Sequence, residues 1–169
     1  LVTTVRSQTT MDSLVIVDTL GVASPQAFAS LIRSVKNWFD MPIEVHCHNH
    51  LGLATANTLA GITAGAEVAH TTVNGIGESS GNAAMEEVVI GLLVLHGIDL
   101  NLRYENLCKV SDLVQELSGV RVMPGKPIVG KTTFIYEAGI SVMYLRRLGA
   151  RNYLKGIYPF LPSLVGNTY

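Results

Sequence analysis

The chain has 169 residues, 48% of them hydrophobic and 15% charged, which is enough apolar material for a packed core and too much for a disordered chain. With 12 Lys+Arg against 13 Asp+Glu the formal net charge is −1, so no basic footprint exists for nucleic acid or an anionic membrane. Cys47 and Cys108 are too few for a disulfide framework, so a reducing compartment, the cytoplasm, is expected, and no apolar stretch approaches the ~20 residues that span a bilayer.

The first residues carry neither an initiator Met nor a leader pattern, and a strand-like run follows soon after. That start is expected of a piece of a longer protein. Leu14-Val15-Ile16-Val17-Asp18-Thr19 is an apolar run with a polar end and reads as a buried parallel strand. Ser24-Pro25 then supplies an N-cap and a first-turn Pro, and Phe28, Leu31, Ile32, Val35 and Phe39 follow at helical spacing, with Trp38 as a packing anchor at the helix end. Ile43-Glu44-Val45-His46-Cys47-His48 is the next strand. A helix is predicted over residues 53–64, closed by Gly65, and a third strand over 67–73. Asn74-Gly75-Ile76-Gly77 is its loop, and a helix over 82–95 carries Glu86 and Glu87 in its first turn, where the macrodipole favours them.

Residues 98–102 predict a short fourth strand, and 107–117 a helix stopped by Gly119. Strands alternating with helices mean βα units on a parallel sheet, about four of them, where a complete TIM barrel has eight. No G-x-G-x-x-G follows the first strand, which speaks against a dinucleotide-binding sheet. Beyond Val120 the alternation breaks. A linker over 123–130 leads to a predicted helix over 132–147, and Tyr158-Pro159-Phe160-Leu161-Pro162 is predicted to be extended.

His46-Cys47-His48 is the sharpest chemical feature. Side chains alternate across a strand, so Glu44, His46 and His48 share one face, while Ile43, Val45 and Cys47 form an apolar one. Two imidazoles ~7 Å apart along one face either chelate a divalent ion or sit as satisfied core histidines. In the third strand His70, Thr72 and Asn74 share a face. The loop from Gly75 to Asn82 reads either as an ordinary βα loop with an Asn cap or as part of one site, with Asn82 as an oxygen ligand. Cys47 reads as a small buried residue, and Arg146-Arg147 as a solvated face.

Three long motifs then stand in order: His46-Cys47-His48-Asn49-His50-Leu51-Gly52-Leu53-Ala54-Thr55-Ala56-Asn57, then Thr72-Val73-Asn74-Gly75-Ile76-Gly77-Glu78, then Gly81-Asn82-Ala83-Ala84-Met85-Glu86-Glu87-Val88-Val89. They resemble the 2-isopropylmalate synthase and homocitrate synthase family, in the HMG-CoA-lyase-like group of TIM-barrel metalloenzymes. Asp18-Thr19-Leu20-Gly21 is similar to the family's strand-five motif, and Pro127-Ile128-Val129-Gly130-Lys131-Thr132-Thr133-Phe134 to its segment after the barrel.

The resemblance implies an α/β fold: the second half, about four βα units, of a (β/α)8 barrel over residues 1–120, followed by a short, partial helical linker subdomain over 121–169. It implies His46, His48 and Asn82 as ligands of a divalent metal (Mg, Mn or Zn), with a further Asp ligand upstream of Leu1. It places Thr19 and Thr72 against the substrate. The implied reaction condenses acetyl-CoA with a small 2-oxo acid, as in leucine biosynthesis, within a homo-oligomer. Three positions depart from the pattern: His50 stands where the family has Asp, Ser79 where it has Arg, and Ser141 where it has a catalytic His. Serine is no general base near neutral pH without help. An aldolase or lyase of the same barrel, or a non-catalytic degenerate half-barrel, are therefore the alternatives.

Overall fold

The computed structural model describes Thr4 and residues 10–168; the start of the chain, apart from Thr4, lies outside the described residues. Two compact units divide the chain, Leu1–Val88 and Val89–Tyr169.

The first unit is built on a three-stranded parallel sheet in the order β1-β2-β3, with β1 at Leu14–Asp18, β2 at Ile43–Cys47 and β3 at Val68–His70. Its register pairs Val17 with His46 and His46 with His70. Helix α1, Pro25–Trp38, joins β1 to β2, and α2, Ala54–Thr63, joins β2 to β3. The Ser24 hydroxyl accepts a bond from the Ala27 amide at 3.3 Å, and Pro25 follows at the first helical position. The Asn49 carboxamide oxygen caps α2 by accepting from the Ala54 amide at 3.1 Å.

Both helices pack on the apolar face of β2, where Ile43, Val45 and Cys47 are fully buried. Phe28 and Ile32 of α1 complete this core. At Gly61 a Cβ would lie 3.0 Å from Val45 and 3.1 Å from Phe28, so the missing side chain lets α2 settle directly on them. Phe28→Ala is expected to destabilise the first unit by ~3–5 kcal/mol, the usual cost of an aromatic-sized cavity. Chemical denaturation should show the shift, and a change below ~1 kcal/mol would mean that this core is not the one that holds the unit.

The predicted strands need three corrections. Strand β1 is not buried as predicted: Leu14 and Ile16 are half-buried, and Val15 and Val17, on the face of Glu44 and His46, are 38% and 47% exposed. The third strand stops at His70, because the Thr72 amide bonds to the Ala83 carbonyl and Asn74 turns the chain with φ +63°. Residues 98–102 form no strand. The Tyr104 hydroxyl and the Asp99 carboxylate take the amides of Leu100 and Asn101, which a neighbouring strand would need.

Helix α3, Met85–His96, begins three residues later than predicted, since Asn82 stays extended. In the second unit α4, Leu107–Ser118, ends as expected at Gly119 in the left-handed conformation, φ +72°. The predicted helix over 132–147 is confined to α5, Gly139–Leu148. Upstream, the Thr132 amide and the Thr133 hydroxyl bond to the carbonyls of Pro124 and Lys126, which holds that segment in turns. Helix α6, Ala150–Ile157, was not anticipated. The tail bends at 158–160 and enters a 3-10 turn, Pro162–Val165, instead of staying extended. Trp38 is 44% exposed and anchors little. Among the described residues no helix is long and apolar enough to cross a membrane.

Candidate functional site

The alternation of β2 does to its side chains what the sequence predicts. Cys47 is fully buried on the helix side, while Glu44, His46 and, one step past the strand, His48 are half-buried on the other. Burial raises the Cys47 thiol to about 11, against a weaker lowering by the Thr58 hydroxyl bonded to it. His46 is held below the usual imidazole range by burial first, and then by the neighbouring His48 and His70. A lowered value keeps the ring neutral near pH 7, with a lone pair free to bind a cation.

The His46 and His48 rings lie 5.0 Å apart between centroids, inclined at 63°. Metal–nitrogen bonds of ~2.1 Å put two adjacent imidazole ligands at ~4.5–5 Å between centroids, so the pair fits a shared ion. The Gly75-to-Asn82 loop supplies the next group. Its backbone returns to β2, where Asn82 bridges His48 in antiparallel sense and the Asn49 amide bonds to the Gly81 carbonyl at 2.9 Å. His48 Nδ1 and Asn82 Oδ1 are both buried with no hydrogen-bond partner. A buried nitrogen and oxygen left without partners at one backbone bridge are what an oxygen- and nitrogen-binding cation would satisfy. Among the described residues no group of three or more His, Cys, Asp and Glu is spaced to hold a metal.

The other expected positions fall into place unevenly. Thr72 pairs with Ala84 beside the loop, and its hydroxyl oxygen is likewise buried without a partner. Thr19 is exposed directly after Asp18, whose carbonyl accepts from the His48 amide at 3.2 Å. Ser141 is a half-buried residue of α5, in the second unit. His50 is exposed, its ring 6.0 Å from that of His48. Arg146 and Arg147 are exposed, as a solvated face should be.

Two groupings escaped the sequence reading. Ser13 donates to one oxygen of Glu44 at 2.6 Å, and the other oxygen meets His70 Nε2 at 2.6 Å, which aligns His70 beside His46 at 5.5 Å. The Ser13 bond first, then His70, hold the Glu44 carboxyl below its usual range. The second is the pair Asp18 and Asn57, both buried. An Asn among Ala56, Leu59 and Ala60 in a helix is a poor helix former, and that was the available signal.

A cavity of about 560 Å³ lies elsewhere, within the second unit, lined among others by Asp112, Glu116, Arg121 and Lys131. Its walls carry charges of both signs and none of the residues above.

A family model described as HMGL-like matches residues 2–114. A 2-isopropylmalate synthase of Methanocaldococcus jannaschii is 42% identical over 155 residues, which is 92% of this chain and 29% of that protein. An (R)-citramalate synthase of the same organism is 42% identical over 156 residues, 92% of this chain and 31% of that protein. The chain thus spans under a third of the length of the curated relatives it matches. Among solved structures, an HMG-CoA lyase of Bacillus subtilis superposes with a TM-score of 0.58 at 28% identity, covering 66% of this chain and 40% of that one.

Proposed function

Because the chain belongs to the HMGL-like family, we propose that it carries the metal-binding part of an enzyme that condenses acetyl-CoA with a small 2-oxo acid. The observation that carries the reading is the bridge between His48 and Asn82, with one unpartnered buried polar atom on each residue. The relatives named 2-isopropylmalate synthase and (R)-citramalate synthase support the reaction class and a place in amino-acid biosynthesis, including that of leucine. In the same reading the three parallel strands belong to half of a (β/α)8 barrel over residues 1–120, residues 121–169 begin the following subdomain, and the protein works as a cytoplasmic homo-oligomer. Two cysteines in 169 residues, too few for a disulfide framework, accord with that compartment.

His46, His48 and Asn82 would hold the ion, which suits Mg²⁺, Mn²⁺ or Zn²⁺. When bound, a divalent ion supplies Lewis-acid polarisation of the 2-oxo carbonyl. The neutral His46 ring offers its nitrogen without first losing a proton. The unpartnered Thr72 hydroxyl is a ready donor to a substrate carboxylate, and Thr19, exposed at the end of β1, is a second. Ser141, in the position of the family's His, would need a partner to move a proton.

The test is release of free thiol from acetyl-CoA over a panel of 2-oxo acids, run on the protein purified from its natural source. Thiol release that needs both a 2-oxo acid and a divalent ion, and stops on chelation, is the expected result. Ser141 favours one second reading, a metal-dependent aldolase, which has no need of the His. Pyruvate release from a 4-hydroxy-2-oxo acid without thiol release would select it. Neither activity with retained metal binding would leave a non-catalytic half-barrel.

A further inference from the structure

We propose that Asn57 is a positioning residue that locks the loop after β1 onto the strand end carrying His48, and thereby sets the metal affinity of the site. This inference rests on the metal-binding reading above.

The side chain of Asn57 is fully buried in α2. Its Nδ2 donates to Asp18 Oδ2 at 3.2 Å and to the Ala23 carbonyl at 2.9 Å. The Asp18 carboxylate in turn accepts from the Val22 and Ala23 amides, each at 3.2 Å. One buried carboxamide thus ties together the end of β1, the far end of the loop and α2. The loop has no freedom on its other side either. At Gly21, φ +60°, a Cβ would lie 2.7 Å from the His48 carbonyl oxygen and 3.0 Å from the His50 backbone nitrogen. The loop therefore rests on the His48 backbone itself, and the Asp18 carbonyl holds the His48 amide.

A buried amide in a helix interior costs stability unless its bonds are used. Here the Oδ1 has no partner among the described residues and the two Nδ2 bonds carry the compensation: they fix the placement of His48, so the ring need not be ordered when an ion arrives. Groups that orient ligands through hydrogen bonds typically change metal affinity 10–100-fold when removed.

The probe is Mn²⁺, followed by its electron paramagnetic resonance as the chain is titrated. Asn57→Ala is expected to weaken Mn²⁺ binding by ~10–100-fold and to speed amide exchange at Val22, Ala23 and His48 before the rest of the unit. Asp18→Asn, nearly isosteric, is the second variant should Asn57→Ala fail to fold, and should move both readouts in the same direction. Ile32→Val, which truncates the core and touches none of these hydrogen bonds, should lower stability while leaving Mn²⁺ affinity as it was. Wild-type affinity in a folded Asn57→Ala, or an equal loss in Ile32→Val, would overturn the positioning role alone. Absence of Mn²⁺ binding by the wild-type chain would instead bring down the metal reading and, with it, the inference.

Discussion

His48→Ala should lose divalent-metal binding altogether. The substitution removes one nitrogen donor and leaves Asn82 Oδ1 facing a gap, so the loss should exceed the ~100-fold that marks the upper end for an indirect support. His46→Ala should behave alike, since the two rings form one pair 5.0 Å apart. His50→Ala is the contrast: its ring is exposed and 6.0 Å from His48, and its removal should change affinity little. Calorimetric titration with Mn²⁺ or Zn²⁺ separates the three. Unchanged affinity in His48→Ala would remove the site assignment, whatever the family of the chain.

The second large effect is expected at a residue with no side chain. Gly81 has φ +84°, and a Cβ there would lie 2.0 Å from the Gly75 carbonyl oxygen. That carbonyl accepts the Asn82 amide at 3.1 Å, and the Gly81 carbonyl accepts the Asn49 amide at 2.9 Å. Gly81→Ala must therefore push apart the two ends of the loop and carry Asn82 away from His48. Metal affinity should fall by ~10–100-fold, and stability by about 1–3 kcal/mol from the strained backbone. Gly52→Ala isolates the second cost, because Gly52 has φ +73° with nothing within 4 Å of an added Cβ. Its melting temperature should drop while its metal affinity stays. If Gly81→Ala melts lower and yet binds as tightly as wild type, Asn82 is not a ligand.

The first unit was largely legible from the sequence because its signals were local. Ser24-Pro25 announces α1, and the two-residue alternation of β2 separates His46 from Cys47 without help from anything distant. Where the reading went astray, local hydrogen bonds or a turn-forming backbone had decided the conformation. Asp99 and Tyr104 occupy the amides of 98–102, which had the apolar content of a strand. The carbonyls of Pro124 and Lys126 hold residues whose composition suited a helix. The predicted helix over 82–95 began at Asn82, yet Asn82 follows Gly81, φ +84°, and pairs with His48 in a bridge instead. The composition of β1 told that it was apolar, but not that Val15 and Val17 would be left half open, since that depends on what stands opposite them.

Between His46, on β2, and His48, just past its end, the chain carries a sulfur, and its seat on the opposite face bears on which ions the proposed site would prefer. A thiolate at Cys47 would make a soft donor beside His46 and His48, and would draw copper(I) or zinc in preference to harder ions. Full burial and a thiol raised to about 11 keep that sulfur protonated and turned into the helices. What remains on the open face is nitrogen and oxygen alone, a donor set that tolerates Mg²⁺ and Mn²⁺ and gives soft metals no special hold. By the pleat of the backbone, the chain keeps a soft donor within a residue of the face proposed to bind the ion and would deny it to any ion seated there.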